Sequence, residues 1–221
     1  MAQSLPGAHT MPADTVPSLP TLPSPASRQT QDLDEVCAIR IGQWMAGAIN
    51  GRSCDTALFA KLIAAREVRN GRSLLGLSET QWRGLVSRHF RVAPDGFDAV
   101  SVSVSVTRHE HVEFVAAMRA LLLQSVSPAV SLDDAQCLAS IIAHACLRPD
   151  HLWRDLGLAG RHEVSAMIER YFPSLVALNV ENLRWKKFLA RQLALSLGQE
   201  PGPAPGCPGC EDYGYCFPHA T

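Results

Sequence analysis

The sequence predicts an all-α fold: a single multi-helix domain with a disordered, proline-rich N-terminal tail and a cysteine-rich C-terminal loop. Three observations carry this. Apolar residues recur at helical intervals from about Asp32 to Gly198. Capping residues precede several of those runs. Of the 15 prolines, six fall within residues 1–30 and five after Glu200. Proline fixes φ and removes a backbone donor, so neither end suits regular helix or sheet. The expected division is a disordered tail over 1–31, a helical domain over 32–198 and a metal- or cluster-binding tail over 199–221.

The first helix is capped by Asp32 or Asp34 and ends near Asn50-Gly51. A second runs from Asp55 through Leu58, Phe59, Leu62, Ile63 and Val68 to Asn70-Gly71. Ser78 and Gln81 have capping-box spacing ahead of Trp82, Leu85, Val86 and Phe90. Ser101–Val106 alternates like a strand, but it has no partner of the same pattern and reads as a connector. Helical spacing returns from Glu110 to Gln124. Ser131 and Asp134 cap a run through Cys137, Leu138, Ile141 and Ile142. His162–Phe172 places Val164, Met167, Ile168 and Tyr171 on one face, and Pro173 stops it. Val180–Leu197 is the last helix, making six or seven in all.

Composition narrows the function. Apolar residues make up 47% and charged residues 19%, enough to bury a core. Twenty basic against 21 acidic residues leave a net charge of -1, which argues against a nucleic-acid-coating surface. No apolar run reaches the roughly 18–20 residues of a membrane span. The N-terminus lacks a basic region followed by an apolar one, so a cytoplasmic location is expected. Seven cysteines, an odd number, then read as thiols or metal ligands rather than a disulfide framework.

Three of those cysteines form Cys207-x2-Cys210-x5-Cys216 in a Pro/Gly-rich stretch. Pro208-Gly209 suits a tight turn that brings two thiolates toward one ion, and Cys216 can close a set of three. Thiolates select zinc, copper(I) or iron–sulfur clusters. A redox dithiol and inert thiols are the alternatives. The preceding segment carries Arg184, Lys187 and Arg191, which fall within about 60° of one another on a helix. An isolated basic stripe is usually a solvated face. Beside a thiolate loop, it suits an anionic cluster, an oxyanion such as molybdate, or an acidic partner.

These residues resemble the nitrogen-fixation NifQ family. The matching stretches are Ala145-Cys-Leu-Arg-Pro-Asp-His-Leu-Trp-Arg-Asp-Leu-Gly-Leu158, Tyr171-Phe-Pro-Ser-Leu175 with Asn179, Arg184-Trp-Lys-Lys-Phe188 into Arg191-Gln-Leu193, and Cys207-Pro-Gly-Cys210-Glu-Asp-Tyr213 with Cys216-Phe217. They run in order over roughly Cys146 to Phe217, and Leu75–Leu77 and His89–Phe90 fit more loosely. The resemblance implies an iron–sulfur protein that assembles a molybdenum–iron–sulfur cluster from molybdate and an iron–sulfur precursor. It implies donation of molybdenum to iron–molybdenum cofactor biosynthesis through the NifEN scaffold and the nitrogenase iron protein. This is carriage rather than catalysis, with Cys207, Cys210 and Cys216 as metal ligands and Arg184, Lys187 and Arg191 as cofactor-binding residues. The sequence departs from the family's Cys-x4-Cys-x2-Cys-x5-Cys motif at its first position, where Gly202 stands.

Other candidates are weighed against plainer roles. Cys146 and Cys137 suit buried core positions, with Cys146 the candidate replacement ligand. Asp150 and His151 suit a helix cap more than a molybdate site. His109 and His111 read as solvent-facing, and His219 is close enough in sequence to Cys216 to share its ion. The alternative functions are a helical zinc-binding adaptor and a thiol redox sensor.

Overall fold

The structure, a computed structural model, describes residues 25–69, 75–91, 93–94 and 111–218, with side chains from residue 32 onward. Its helices among these residues are α1 (Pro25–Ala46), α2 (Cys54–Val68), α3 (Glu79–His89), α4 (Val112–Leu123), α5 (Leu132–Ala145), α6 (Leu152–Leu156), α7 (Arg161–Tyr171), α8 (Pro173–Leu178), α9 (Trp185–Ser196) and α10 (Tyr213–Cys216). A 3₁₀ turn covers Cys207–Gly209. No strand occurs among the described residues, and the predicted all-α class holds. The expectations for residues 1–24, for the Ser101–Val106 connector, for His109 and for His219 lie outside the described residues.

Helix α5 is the centre because its sequence is small and apolar on nearly every side. Leu138, Ala139, Ile142, Ala143 and Ala145 are fully buried, and the helix packs against α3, α4 and α6. Helix α2 supplies the second wall, with Phe59, Leu62 and Ile63 buried. Each such large side chain contributes about 1.5–3 kcal/mol of burial. Trp44 joins α1 to this core. Its Nε1 donates to Glu67 at 2.9 Å, and Trp82 and Phe90 pack edge-on against its ring. Arg40 donates to the same carboxylate at 2.6 Å. An indole N–H needs such a partner when its ring is buried.

Capping chemistry sets several helix starts. Ser78 and Gln81 form the complete reciprocal box expected. Ser131 accepts from the Asp134 amide. Ser53 caps α2, which starts at Cys54, one residue before the expected Asp55. Asp55 instead accepts from Arg170 and from the Tyr171 hydroxyl, and the Arg170 hydrogen bond, followed by that of Tyr171, holds its carboxyl below the usual range.

Several boundaries differ from the sequence reading. Helix α1 begins at Pro25, inside the stretch read as a tail, and ends at Ala46. Pro173 does not stop the helical run; it occupies the first turn of α8, where a missing N–H costs nothing. The final helix starts at Trp185 rather than Val180. Side chains compete for the backbone there. Asn179 both donates to the Leu183 carbonyl and accepts from its amide, and Asn182 takes φ 50. Arg161 Nη2 donates to the Asn182 and Leu183 carbonyls at 2.7 Å. No helix among the described residues is long and apolar enough to cross a membrane.

Gly157 closes α6 with φ +72, and a Cβ there would lie 2.0 Å from Ala65 Cβ. Left-handed strain and the clash together set the expected cost of Gly157→Ala at about 2 kcal/mol or more. Urea unfolding measures it. Adding Ala65→Gly should recover the clash component only.

Candidate functional site

The thiol site is built on the turn after α5. At Arg148–Asp150 the chain leaves the core helix, and Lys186 of α9 holds this turn from beneath. Lys186 Nζ donates to Arg148 O at 2.7 Å, to Asp150 O, and to Asp155 Oδ2 at 2.5 Å. Both charged side chains of the pair are buried, with 7% and 9% exposure. Arg148 Nε also reaches Asp155, at 3.3 Å. Arg66 lies close enough to feel Asp155, and burial, with Arg148 and Arg69 nearby, pushes its guanidinium down to about 10. The floor of the site is therefore cationic.

The cysteine segment sits directly on this turn. The Gly206 amide donates to Cys146 O at 3.0 Å. A Cβ on Gly206 would lie 2.0 Å from Arg148 O, and one on Gly209 would lie 2.4 Å from Pro149 Cβ. Only glycine allows so close an approach at these two positions. Ala204 and Cys207 are buried as a result. The tail is thus seated against the helical core and carries its own short elements, the 3₁₀ turn and α10.

Cys207, Cys210 and Cys216 line one small pocket of about 60 Å³. Arg184, Lys186 and Lys187 line it too, as do Trp153, Trp185 and Phe217. Burial pushes the Cys207 thiol up; its bond with the Ala204 backbone and the Lys186 ammonium pull against this, and Cys210 and Cys216 add to the rise. Burial likewise raises Cys216, against Arg184 and Lys187. Among the described residues, no group of three or more His, Cys, Asp and Glu stands ready to hold a metal ion. The donor chemistry nevertheless fits a thiophilic, anionic group: three thiols and four fixed cations, Arg161 among them, share the pocket wall. A common ion would have to draw the thiols closer together.

The three basic residues expected to act together separate. Arg184 is the N-cap residue of α9 with extended backbone, so helical geometry does not apply to it. It pairs with Asp212 at 2.7 Å and its guanidinium lies 5.4 Å from the Tyr215 ring centre. Lys187 donates to Cys216 O at 2.5 Å and lies over Phe217. Arg191 is not among the residues lining the pocket; it pairs with Glu181 at 2.6 Å.

Cys146 and Cys137 are buried. Burial pushes the Cys146 thiol up to about 12. Asp150 is not the cap of α6; His151 holds that place without a side-chain cap bond, and Asp150 accepts from the His151 amide and from Arg154. His151 lines the pocket and its Nε2 stands 3.1 Å from Asp212 and 3.3 Å from Glu211. Arg154 pairs with Glu211 at 2.8 Å. His111 is the N-cap residue of α4. Sequence reasoning missed Lys186, Asp155, Arg161 and Asp212. Lys186, Asp155 and Asp212 lie inside the quoted blocks, yet nothing in their spacing names their partners.

The chain matches the NifQ family model over residues 57–218. The match begins in α2, well ahead of the Cys146–Phe217 stretch. A NifQ homologue of Sinorhizobium fredii is 39% identical over 149 residues, 64% of this chain and 60% of that relative, so less than two thirds of its length is spanned. The NifQ protein of Azotobacter vinelandii is 36% identical over 169 residues, 69% of this chain and 83% of the relative. That of Klebsiella pneumoniae is 35% identical over 150 residues, 65% and 85% of the respective chains. No solved structure matches.

The close seat of the cysteine segment is testable. Gly206→Ala should lift it off the Arg148 turn, because the added carbon cannot share space with a backbone oxygen. Alkylation of Cys207 should then speed up at least several-fold, with little change in helical circular dichroism. Unchanged Cys207 reactivity would mean that the segment tolerates the methyl group in place.

Proposed function

The chain belongs to the NifQ family of nitrogen-fixation proteins, and on that premise we propose that it binds molybdenum and supplies it for iron–molybdenum cofactor biosynthesis. The observation that carries the reading is the shared pocket: three cysteines and four lysine or arginine side chains line one small cavity. Cys207, Cys210 and Cys216 would hold iron–sulfur there, and the sulfide of that group supplies soft ligands for molybdenum. Molybdate is the cargo anion on entry. Arg184 and Lys187 favour it electrostatically, and the cationic floor of Lys186, Arg148 and Arg66 adds to the attraction. Arg191 lies outside the pocket and has at most a long-range part in this.

The chain's own residues do three things in this reading. Lys186 and Asp155 fix the turn on which the thiol segment rests. Trp153, Trp185 and Phe217 restrict water at the pocket wall. Lys187 holds the α10 end through the Cys216 carbonyl. The protein then acts as a carrier and donor in the cytoplasm, not as an enzyme. Its recipients are the cofactor scaffold NifEN and the nitrogenase iron protein, with no nucleic acid or membrane partner.

Anaerobic purification tests the reading through iron, acid-labile sulfide and molybdenum content. All three are expected in the parent protein. Changing any of Cys207, Cys210 or Cys216 to Ala should remove most of the iron while the helical signal persists. A colourless protein holding zinc alone would support the adaptor alternative, and a metal-free reversible disulfide would support the redox sensor.

Gly202 stands where the family places its first cysteine, and among the described residues a Cβ there would meet nothing within 4 Å. Gly202→Cys has room for its side chain and should slow iron loss to a chelator. Equal rates in parent and variant would show that a fourth ligand is already held elsewhere.

A further inference from the structure

Asp212 occupies the ground that an incoming anion needs. Its carboxylate stands 2.7 Å from Arg184 Nη2 and 3.1 Å from His151 Nε2, and all three residues line the thiol pocket. Arg184 is not used up by this pair. Its Nε is buried and has no hydrogen-bond partner among the described residues. Arg161 and Lys187 add positive charge to the same wall. Fixed cations around a small pocket attract an anion, and here the protein supplies one of its own.

The position of Asp212 in the chain makes this more than a surface pair. It lies between Cys210 and Cys216 and is the N-cap residue of α10, the short helix that carries Cys216. The other end of α10 is tied by Lys187 to the Cys216 carbonyl. Arg184, the N-cap residue of α9, and Lys187 in its first turn thus grip both ends of the thiol-bearing helix. An anion that draws Arg184 away from Asp212 frees one end and leaves the other attached.

We propose that Asp212 is an internal counter-anion that competes with the oxyanion cargo for Arg184 and His151. It thereby sets the selectivity of the pocket. A dianion gains more from Arg184 and the neighbouring Arg161 and Lys187 than a single carboxylate does and displaces it, whereas a monoanion such as chloride does not. Displacement couples cargo entry to release of the Cys216 segment. This inference rests on the reading of the pocket as the molybdate-accepting site.

The test titrates the reduced full-length protein with sodium molybdate, following the fluorescence of Trp153 and Trp185 on the pocket wall. Asp212→Asn should bind molybdate about threefold more tightly, the scale of one partly exposed ion pair, and should become more sensitive to added sodium chloride. Arg184→Gln should bind more weakly. Glu169→Gln, which removes an exposed acid on α7 away from the pocket, should leave binding unchanged. The opposite signs of the first two variants distinguish competition from bracing. If Asp212 and Arg184 merely brace the loop, both variants lose affinity, and the inference is overturned. Unchanged affinity in Asp212→Asn also overturns it while leaving the reading of the pocket intact. No molybdate binding to any of the four proteins overturns both.

Discussion

The buried ion pair between Lys186 and Asp155 is the contact on which the site depends. It ties the first turn of α9 to two neighbouring segments 31 to 38 residues earlier, the turn after α5 and the helix α6. A buried charge pair is not by itself a large source of stability, because desolvating both ions offsets most of their attraction. Its effect here is geometric. Lys186 donates to two carbonyls and one carboxylate, and so the Arg148–Asp150 turn has a fixed shape. That shape is what Gly206 and Gly209 contact, and the turn between Cys207 and Cys210 follows from it.

Charge is arranged in two layers around the thiols. Beneath lie Lys186, Arg148 and Arg66 with Asp155 among them. At the mouth, Arg184, His151 and Arg154 face Glu211 and Asp212 of the cysteine segment. The lower layer is buried and little screened by salt, so it acts as a constant field. The upper layer is partly exposed, and its pairs are individually weak. A weak outer layer over a fixed inner one suits the hold-and-release role proposed for this segment. Trp153, Trp185 and Phe217 give the same pocket wall an apolar part beside the thiols.

Local chemistry was legible in the sequence wherever it acts over a few residues. Ser78 with Gln81, and Ser131 with Asp134, signalled their helix starts because the bonds they make are three residues long. The buried faces of α2, α5 and α7 followed from helical spacing. The three cysteines stood out by their clustering. Periodicity was misleading where side chains compete with the backbone, as at Asn179 and Asn182, and this moved the start of α9 to Trp185. That shift took Arg184 out of the helix and split the expected basic stripe, leaving Arg191 with Glu181. Lys186 was hidden for a different reason. Its partners lie 31 to 38 residues away, and spacing carries no record of such contacts.

The fold thus brings a cysteine cluster and a cationic helix start to one pocket, and the claim that follows is that molybdenum is held there by sulfur. X-ray absorption at the molybdenum edge, on full-length protein loaded anaerobically with iron, sulfide and molybdate, tests this most directly. Sulfur neighbours around molybdenum in the parent, lost when Cys207, Cys210 and Cys216 are all replaced, are the expected result. Molybdenum surrounded by oxygen alone, or sulfur neighbours that persist without those three thiols, would contradict it.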